Sequence, residues 1–455
     1  MTETTSRQLS GGNVPMSDNK TGMVLFIILV ICGMGLIEAV NSARLINEHK
    51  VVRVFPHDYV SEGIWSFFAF IRPLDVDSTD FSPTLTAIHR ALNGDNNLYA
   101  DFKPEGTSFI YPPTAVIELG LLGYLIRGGD FSAAFKTWDI VSRISILLTI
   151  CVAAFILPGI INNRRQWILT VLIFCAFFPL RWSAMCVNIQ SLITLLLAMM
   201  ILLYTLGFEF AAGVIFGLAA CLKPNLAPLL VFSLIRRRWR FAGTAVSAAL
   251  ILISASVVFF GVKPWEEYFG RLLPVLARGY GYWPNHSLNG LVHRWLGHPT
   301  SITVGPESMA VDLITRIGAV IFLILSVWPR PVSAYQKKTG IGKRWDLFRA
   351  MDISIALIFV MLMSPVVWDH YYAWCVVLFA IFFAAGQEIK FSLWNFILAG
   401  LSYILLGTYV LSVKSASSGL PSIVNSTHFF GALLLSVLVW HAQVRLWRGK
   451  QVISI

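Results

Sequence analysis

Apolar positions in this chain gather into long blocks separated by short polar stretches. At about 1.5 Å of rise per residue, some 20 such residues cross a bilayer as helix. Twelve blocks are candidate spans: 23–40, 139–161, 167–180, 187–204, 208–222, 225–235, 241–261, 313–327, 353–367, 372–385, 393–413 and 428–444. The block 23–40 lacks a clear cleavage site and reads as a retained first span behind a polar, disordered tail of residues 1–22. A further block, 112–126, opens with Pro112-Pro113 and carries Glu118 and several glycines. It reads as a re-entrant or interface-lying helix packed on protein, which is how non-spanning backbone is tolerated near hydrocarbon. The alternative is that it spans and that 225–235, the shortest block, does not.

Composition confirms the class: 56% of residues are hydrophobic and 13% charged, which excludes an ordinary water-facing surface. The excess of Lys and Arg over Asp and Glu, 35 against 24, sits in short loops and reads as a topology signal rather than a nucleic-acid footprint. Arg7 and Lys20, then 163–166, 236–240, 329–349 and the C-terminal 445–450, all fall on one side, which the positive-inside rule makes cytoplasmic. The expected protein is an all-α polytopic protein of the plasma membrane: one transmembrane domain over 23–446 and a cytoplasmic tail over 447–455. Two long extracytoplasmic loops, 41–129 with short helices of its own and 262–312, then face outward. So do the turns around Arg181, Lys223-Pro224 and 364–372, and the segment 414–427. The six cysteines lie in or beside apolar blocks without ligand spacing, and the nine histidines show no HExxH pattern, so no metal site is expected.

The polar residues of interest cluster on the outer face. Of the carboxylates Asp75, Asp77 and Asp80, the first two read as solvated loop charges. Asp80 precedes an amphipathic helix with Leu85, Ile88 and Leu92 on one face, and is a candidate general base at the membrane surface. Asp80 or Ser82 also fits a plain N-cap with Pro83 in the first turn. Lys223, between two short apolar blocks, is a candidate phosphate partner or a snorkelling lysine. Arg181 and Gln190 offer further partners for phosphate or sugar. Tyr111-Pro112-Pro113 fixes an extended entry into block 112–126. In the second long loop, Asn285, His286 and Asn289 alternate with aromatics, as a sugar-binding surface requires. Trp368, Asp369 and His370 place an indole, an acid and an imidazole at one membrane edge, where His370 could stabilise phosphate or move a proton.

These features, in this order, resemble the family-87 glycosyltransferases, integral membrane enzymes of the GT-C type. The matching residues are Asp80-Phe81, Leu98-Tyr99, Tyr111-Pro112-Pro113, Gln190, Lys223-Pro224, Asn285-His286-Ser287-Leu288-Asn289-Gly290, Ser364-Pro365 and Trp368-Asp369-His370. The resemblance implies a polyprenyl-phosphate-sugar donor, mannose above all, and a lipid-linked or glycan acceptor at the outer face. It also implies an inverting single displacement with a catalytic aspartate at Asp80, and neither nucleotide nor obligatory metal. Two departures bear on the acceptor: Ile189-Gln190 where the family often has Gly-Gln, and Asn285-His286-Ser287 where it often has Asn-Gln-Ser. A transporter for a lipid-linked sugar and an oligosaccharide ligase are the competing readings.

Overall fold

A computed structural model describes residues 17–47, 80–103, 108–122, 130–157, 164–298, 305–328, 346–410 and 420–452. Asp75 and Asp77, residues 1–16 of the polar tail, much of the first outer loop and the segment 329–345 lie outside them; residues 17–22, expected to be disordered tail, instead form the first turns of a helix. The described residues are helical, without strands. The helices are α1 (Ser17–Asn47), α2 (Ser82–Leu92), α3 (Pro113–Glu118), α4 (Phe131–Ile156), α5 (Arg164–Cys175), α6 (Phe178–Cys186), α7 (Gln190–Thr205) and α8 (Glu209–Leu222). They continue with α9 (Pro228–Ile235), α10 (Trp239–Phe260), α11 (Leu288–Trp295), α12 (Met309–Val327), α13 (Leu347–Met363), α14 (Cys375–Glu388), α15 (Leu393–Gly407) and α16 (Thr427–Val452). Proline in the first turn starts α2, α3, α6 and α9, where the missing N–H is not needed.

All twelve apolar blocks carry helix, but fewer reach across a bilayer. Among the described residues six helices are long and apolar enough to cross: Asn19–Arg44, Phe131–Ile156, Trp239–Phe260, Met309–Val327, Asp369–Gly386 and Ser422–Leu446. The pair Arg164–Cys175 and Phe178–Cys186 makes a seventh if its 44° bend is one broken span. Gln190–Thr205, Glu209–Leu222, Pro224–Ile235 and Leu393–Gly407 are shorter, and at about 1.5 Å per residue none of them reaches 30 Å alone. The described part of block 112–126, residues 112–122, holds the six-residue α3 and a short 3-10 turn, Gly120–Leu122; residues 123–126 lie outside the described residues. Helix α3 rises only about 9 Å, and Pro113 to Val116 are buried in the bundle.

The segment Asp369–Gly386 is wholly enclosed and forms the axis of the bundle. Trp239–Phe260 and Met309–Val327 lie at the periphery with apolar faces outward: Ile251, Val258 and Phe259 are exposed. Such faces suit hydrocarbon and not water. Close packing of α8 on α10 depends on Gly213 and Gly217, since a Cβ at Gly213 would come within 2.4 Å of Phe241 O. This is the small-residue contact by which membrane helices approach each other. At the far end of α8, Thr114 Oγ1 donates to Cys221 O at 2.7 Å, which pins α3 beside Lys223. The start of α7, the end of α8, the entry to α2 and the turn before α14 thus meet at one end of the bundle.

Candidate active site

Asp80 is not the cap of α2. Phe81 occupies that position and makes no side-chain cap bond, while its ring stacks on Trp138 at 4.7 Å. The anchoring leaves Asp80 just ahead of a fixed helix start, where its carboxylate accepts hydrogen bonds from Asn188 and Cys186. The residue keeps exposed surface on one side. Desolvation around the carboxyl nevertheless raises its pKa above the ordinary carboxylate value, and the two hydrogen bonds only partly oppose that shift.

Asn188 is the hinge of the site. Its Oδ1 accepts from Gln190 N at 2.8 Å, its Nδ2 lies 3.0 Å from His370 Nε2, and it bonds Asp80. An amide has two N–H donors and one acceptor oxygen, so one Asn188 hydrogen serves the carboxylate and the other the imidazole. Nδ2 donating to Nε2 leaves the His370 proton on Nδ1, a buried atom with no hydrogen-bond partner in the protein. The backbone bend that presents Asn188 follows Val187, a non-glycine residue at φ 50°.

On the other side of the site, Lys223 Nζ donates to Gln190 Oε1 at 2.6 Å and sits 2.7 Å from the centre of the Tyr371 ring. Gln190 Nε2 in turn reaches Thr194 Oγ1 at 3.4 Å. Lys223 is 8% exposed and burial pushes its pKa well below the ordinary lysine value; when protonated it disfavours charge on His370. Tyr111, Tyr280 and Tyr371 stand near enough to Asp80 to sense its charge. Trp368 faces Tyr280 at 6.2 Å and His370 at 6.3 Å. One carboxyl group, one lysine amine, one imidazole and an aromatic wall therefore share a small region.

Other sequence candidates take different places. Asn285 is spent on protein: Nδ2 donates to Tyr280 O and Pro365 O, while Oδ1 accepts from Val367 N and Ser287 Oγ. It staples the second outer loop to the turn before α14. Asn289 Nδ2 donates to Arg278 O at 3.2 Å and lies against Gly279. Arg181, fully buried on α6, donates from Nε to Ala176 O at 2.9 Å at the α5–α6 bend. Its ionisable neighbours are Tyr403 and Glu38, not Lys223.

His286 and Asp369 form a buried pair, Nε2 to Oδ1 at 2.7 Å. His428, at the start of an apolar block with no candidate of its own in the sequence, packs on His286 with ring centres 4.4 Å apart, its Nε2 3.7 Å from Asp369 Oδ1. Their ligand atoms lie within 4.8 Å of one another, so these are the described residues able to hold a metal ion. The short His–carboxylate contact and the two rings, inclined at 33°, make a hydrogen-bonded, closely packed cluster. Asn188, Cys186 and Tyr371 are further site residues that the sequence pattern does not single out. Asn188 lies two residues before Gln190, and Tyr371 directly follows His370, so adjacency to a candidate is the signal that marks them.

Fold and site together define a multi-pass membrane protein with a carboxyl–lysine–imidazole centre at one end of its bundle. Residues 109–365 match the sequence model of glycosyltransferase family 87, more than half of the chain, and the chain belongs to that family. Among curated proteins it is 27% identical over 232 residues to an alpha-(1->3)-arabinofuranosyltransferase of Corynebacterium glutamicum, covering 49% of this chain and 51% of that protein. It is 28% identical over 294 residues to a polyprenol-phosphate-mannose-dependent alpha-(1-2)-phosphatidylinositol pentamannoside mannosyltransferase of Mycolicibacterium smegmatis, covering 63% of this chain and 65% of that protein. An arabinofuranosyltransferase of Mycobacterium tuberculosis matches at 25% over 228 residues, 49% of this chain and 50% of its own length. The matches thus span between half and two thirds of these relatives. No solved structure matches the chain.

Proposed function

We propose that the protein transfers one sugar, mannose, from a polyprenyl-phosphate donor to a hydroxyl of a lipid-linked or glycan acceptor at the extracytoplasmic face of the plasma membrane. The observation that carries this reading is the Asn188 bridge between the Asp80 carboxylate and His370 Nε2, with Lys223 held beside it by Gln190 and Tyr371. Asp80 takes the proton of the acceptor hydroxyl as its oxygen bonds to the anomeric carbon. The bond from that carbon to the phosphate oxygen breaks on the opposite side, and its electron pair leaves with the polyprenyl phosphate. Lys223 and the Nδ1–H of His370 stabilise the charge gathering there. With a single displacement the anomeric centre inverts, and no second carboxylate nucleophile is required. Because protein groups supply the positive charge, the scheme is metal-independent.

A cleft of about 370 Å³ beside α2, lined by Ser82, Thr86, Arg90, Asp101 and Ser108, suits a hydroxyl-rich acceptor two residues from Asp80. The test is to incubate the purified protein with labelled polyprenyl-phosphate-mannose and candidate glycolipid acceptors, with polyprenyl-phosphate-arabinofuranose as a parallel donor. A product one mannose larger, absent with Asp80→Asn, supports the proposal. Transfer of arabinofuranose alone rejects the mannose assignment, and transfer by the Asp80→Asn protein rejects the base.

A further inference from the structure

We propose that the cleft between the starts of α8 and α10 binds the phosphate of an anionic membrane lipid, at the end of the bundle away from Asp80. The separation follows from α8 itself: from Glu209 to Leu222 the helix rises about 21 Å before it reaches Lys223. The cleft has a volume of about 680 Å³ and is lined by Arg237, Arg238, Arg240 and Arg349 around a single carboxylate, Glu209. Glu209 Oε1 is taken by Arg349 at 3.0 Å and lies 3.7 Å from Arg238. Arg349 is also paired with Asp346 at 3.0 Å behind the cleft, so four guanidinium groups meet two carboxylates and the cleft keeps a net positive charge.

Three further observations point to a phosphate. Neither Phe208 ahead of α8 nor Arg238 ahead of α10 supplies a side-chain cap, so the starts of two long helices that line the cleft lack a side-chain acceptor for their first-turn N–H groups. Arg238 is 7% exposed, and its Nε has no hydrogen-bond partner. A guanidinium this deep, with Glu209 no nearer than 3.7 Å, gains from a further oxyanion in the cleft it lines. The rim, finally, is apolar: Phe208, Phe210 and Trp239 are each about 60% exposed, as at a membrane interface where acyl chains lie beside headgroups. A soluble anion would have no use for that rim.

Arg237 separates binding from folding. It adopts φ 55° just past the end of α9, where Arg238 N bonds Ser233 O and Arg237 N bonds Leu234 O. This left-handed position favours glycine, so Arg237→Gly removes the charge while easing the backbone. The test reconstitutes the full-length protein in nanodiscs of phosphatidylcholine, or of phosphatidylcholine with about one-third phosphatidylglycerol. Thermal midpoint and lipids retained in native mass spectrometry are read for the wild type and for Arg237→Gly/Arg240→Gln. The expected result is a higher midpoint and a retained phosphatidylglycerol for the wild type, and affinity about tenfold weaker in the double variant. In phosphatidylcholine alone the variant should melt no lower than the wild type. The proposal is overturned if phosphatidylglycerol gives no gain, if the variant gains equally, or if inorganic phosphate alone stabilises as much as the lipid.

Discussion

Replacing Asp80 by Asn removes a base and keeps a shape. The Asn carbonyl still accepts from Asn188 and Cys186, the two groups that hold the native carboxylate, so the loop entry to α2 should stay in place. Loss of a positioned general base costs roughly 10²–10⁴ in rate, or about 3–5 kcal/mol of transition-state stabilisation. Stability should move the other way. Because burial raises the Asp80 pKa above its unfolded value, folding favours the protonated form, and the ionised group lowers stability as pH rises through the folded pKa. A neutral Asn has no such penalty, so its thermal midpoint at pH 7 should match or exceed the wild type. Activity follows the opposite sign: kcat/KM should rise with pH through the Asp80 pKa, which lies above the usual carboxylate range, and then level off. The assay is initial-rate transfer to a glycolipid acceptor between pH 4 and 8, beside thermal unfolding in the same detergent. A variant within threefold of wild-type kcat/KM, or one still showing the acid limb, would refute the assignment.

Lys223→Met should leave the fold intact, since an apolar side chain of similar length can replace a buried ion, and should lower kcat by roughly 10²–10³; unchanged turnover would remove Lys223 from leaving-group stabilisation. Asn285→Ala should lower stability by about 2–4 kcal/mol, because it strands several buried partners at once; denaturant melts read this, and a raised acceptor KM at unchanged stability would return Asn285 to the sugar. Dialysis against EDTA should leave transfer unchanged when metal content and rate are measured together. Loss restored by an added divalent ion would assign a metal to His286, Asp369 and His428.

Much of the site is legible in the sequence. Asp80, Gln190, Lys223 and His370 stand out because each places a polar or ionisable group at the edge of an apolar block, where such groups are costly. Tertiary packing brings these four together through Asn188, Gln190 and Tyr371. Arg181 meets the same criterion and serves the α5–α6 bend, donating to a carbonyl at a broken helix. Burial cost marks a residue as occupied without saying by what. Asn285 shows the same limit: its amide is consumed by loop closure, which spacing cannot distinguish from sugar binding.

The sequence alone determined the helical, membrane-embedded class, because hydrocarbon demands long apolar blocks whose backbone bonds close within each helix. It also placed the candidate chemistry at block ends. The tertiary structure decided how far each block reaches, with six helices of crossing length among the described residues, or seven if the bent pair is one span. It also decided which polar atoms meet. Asn188 and His370, 182 residues apart, share a hydrogen bond only because α6, α7 and the turn before α14 pack at one end of the bundle. Such a bond is fixed to within tenths of an ångström by helix packing, and no local pattern along the chain records it.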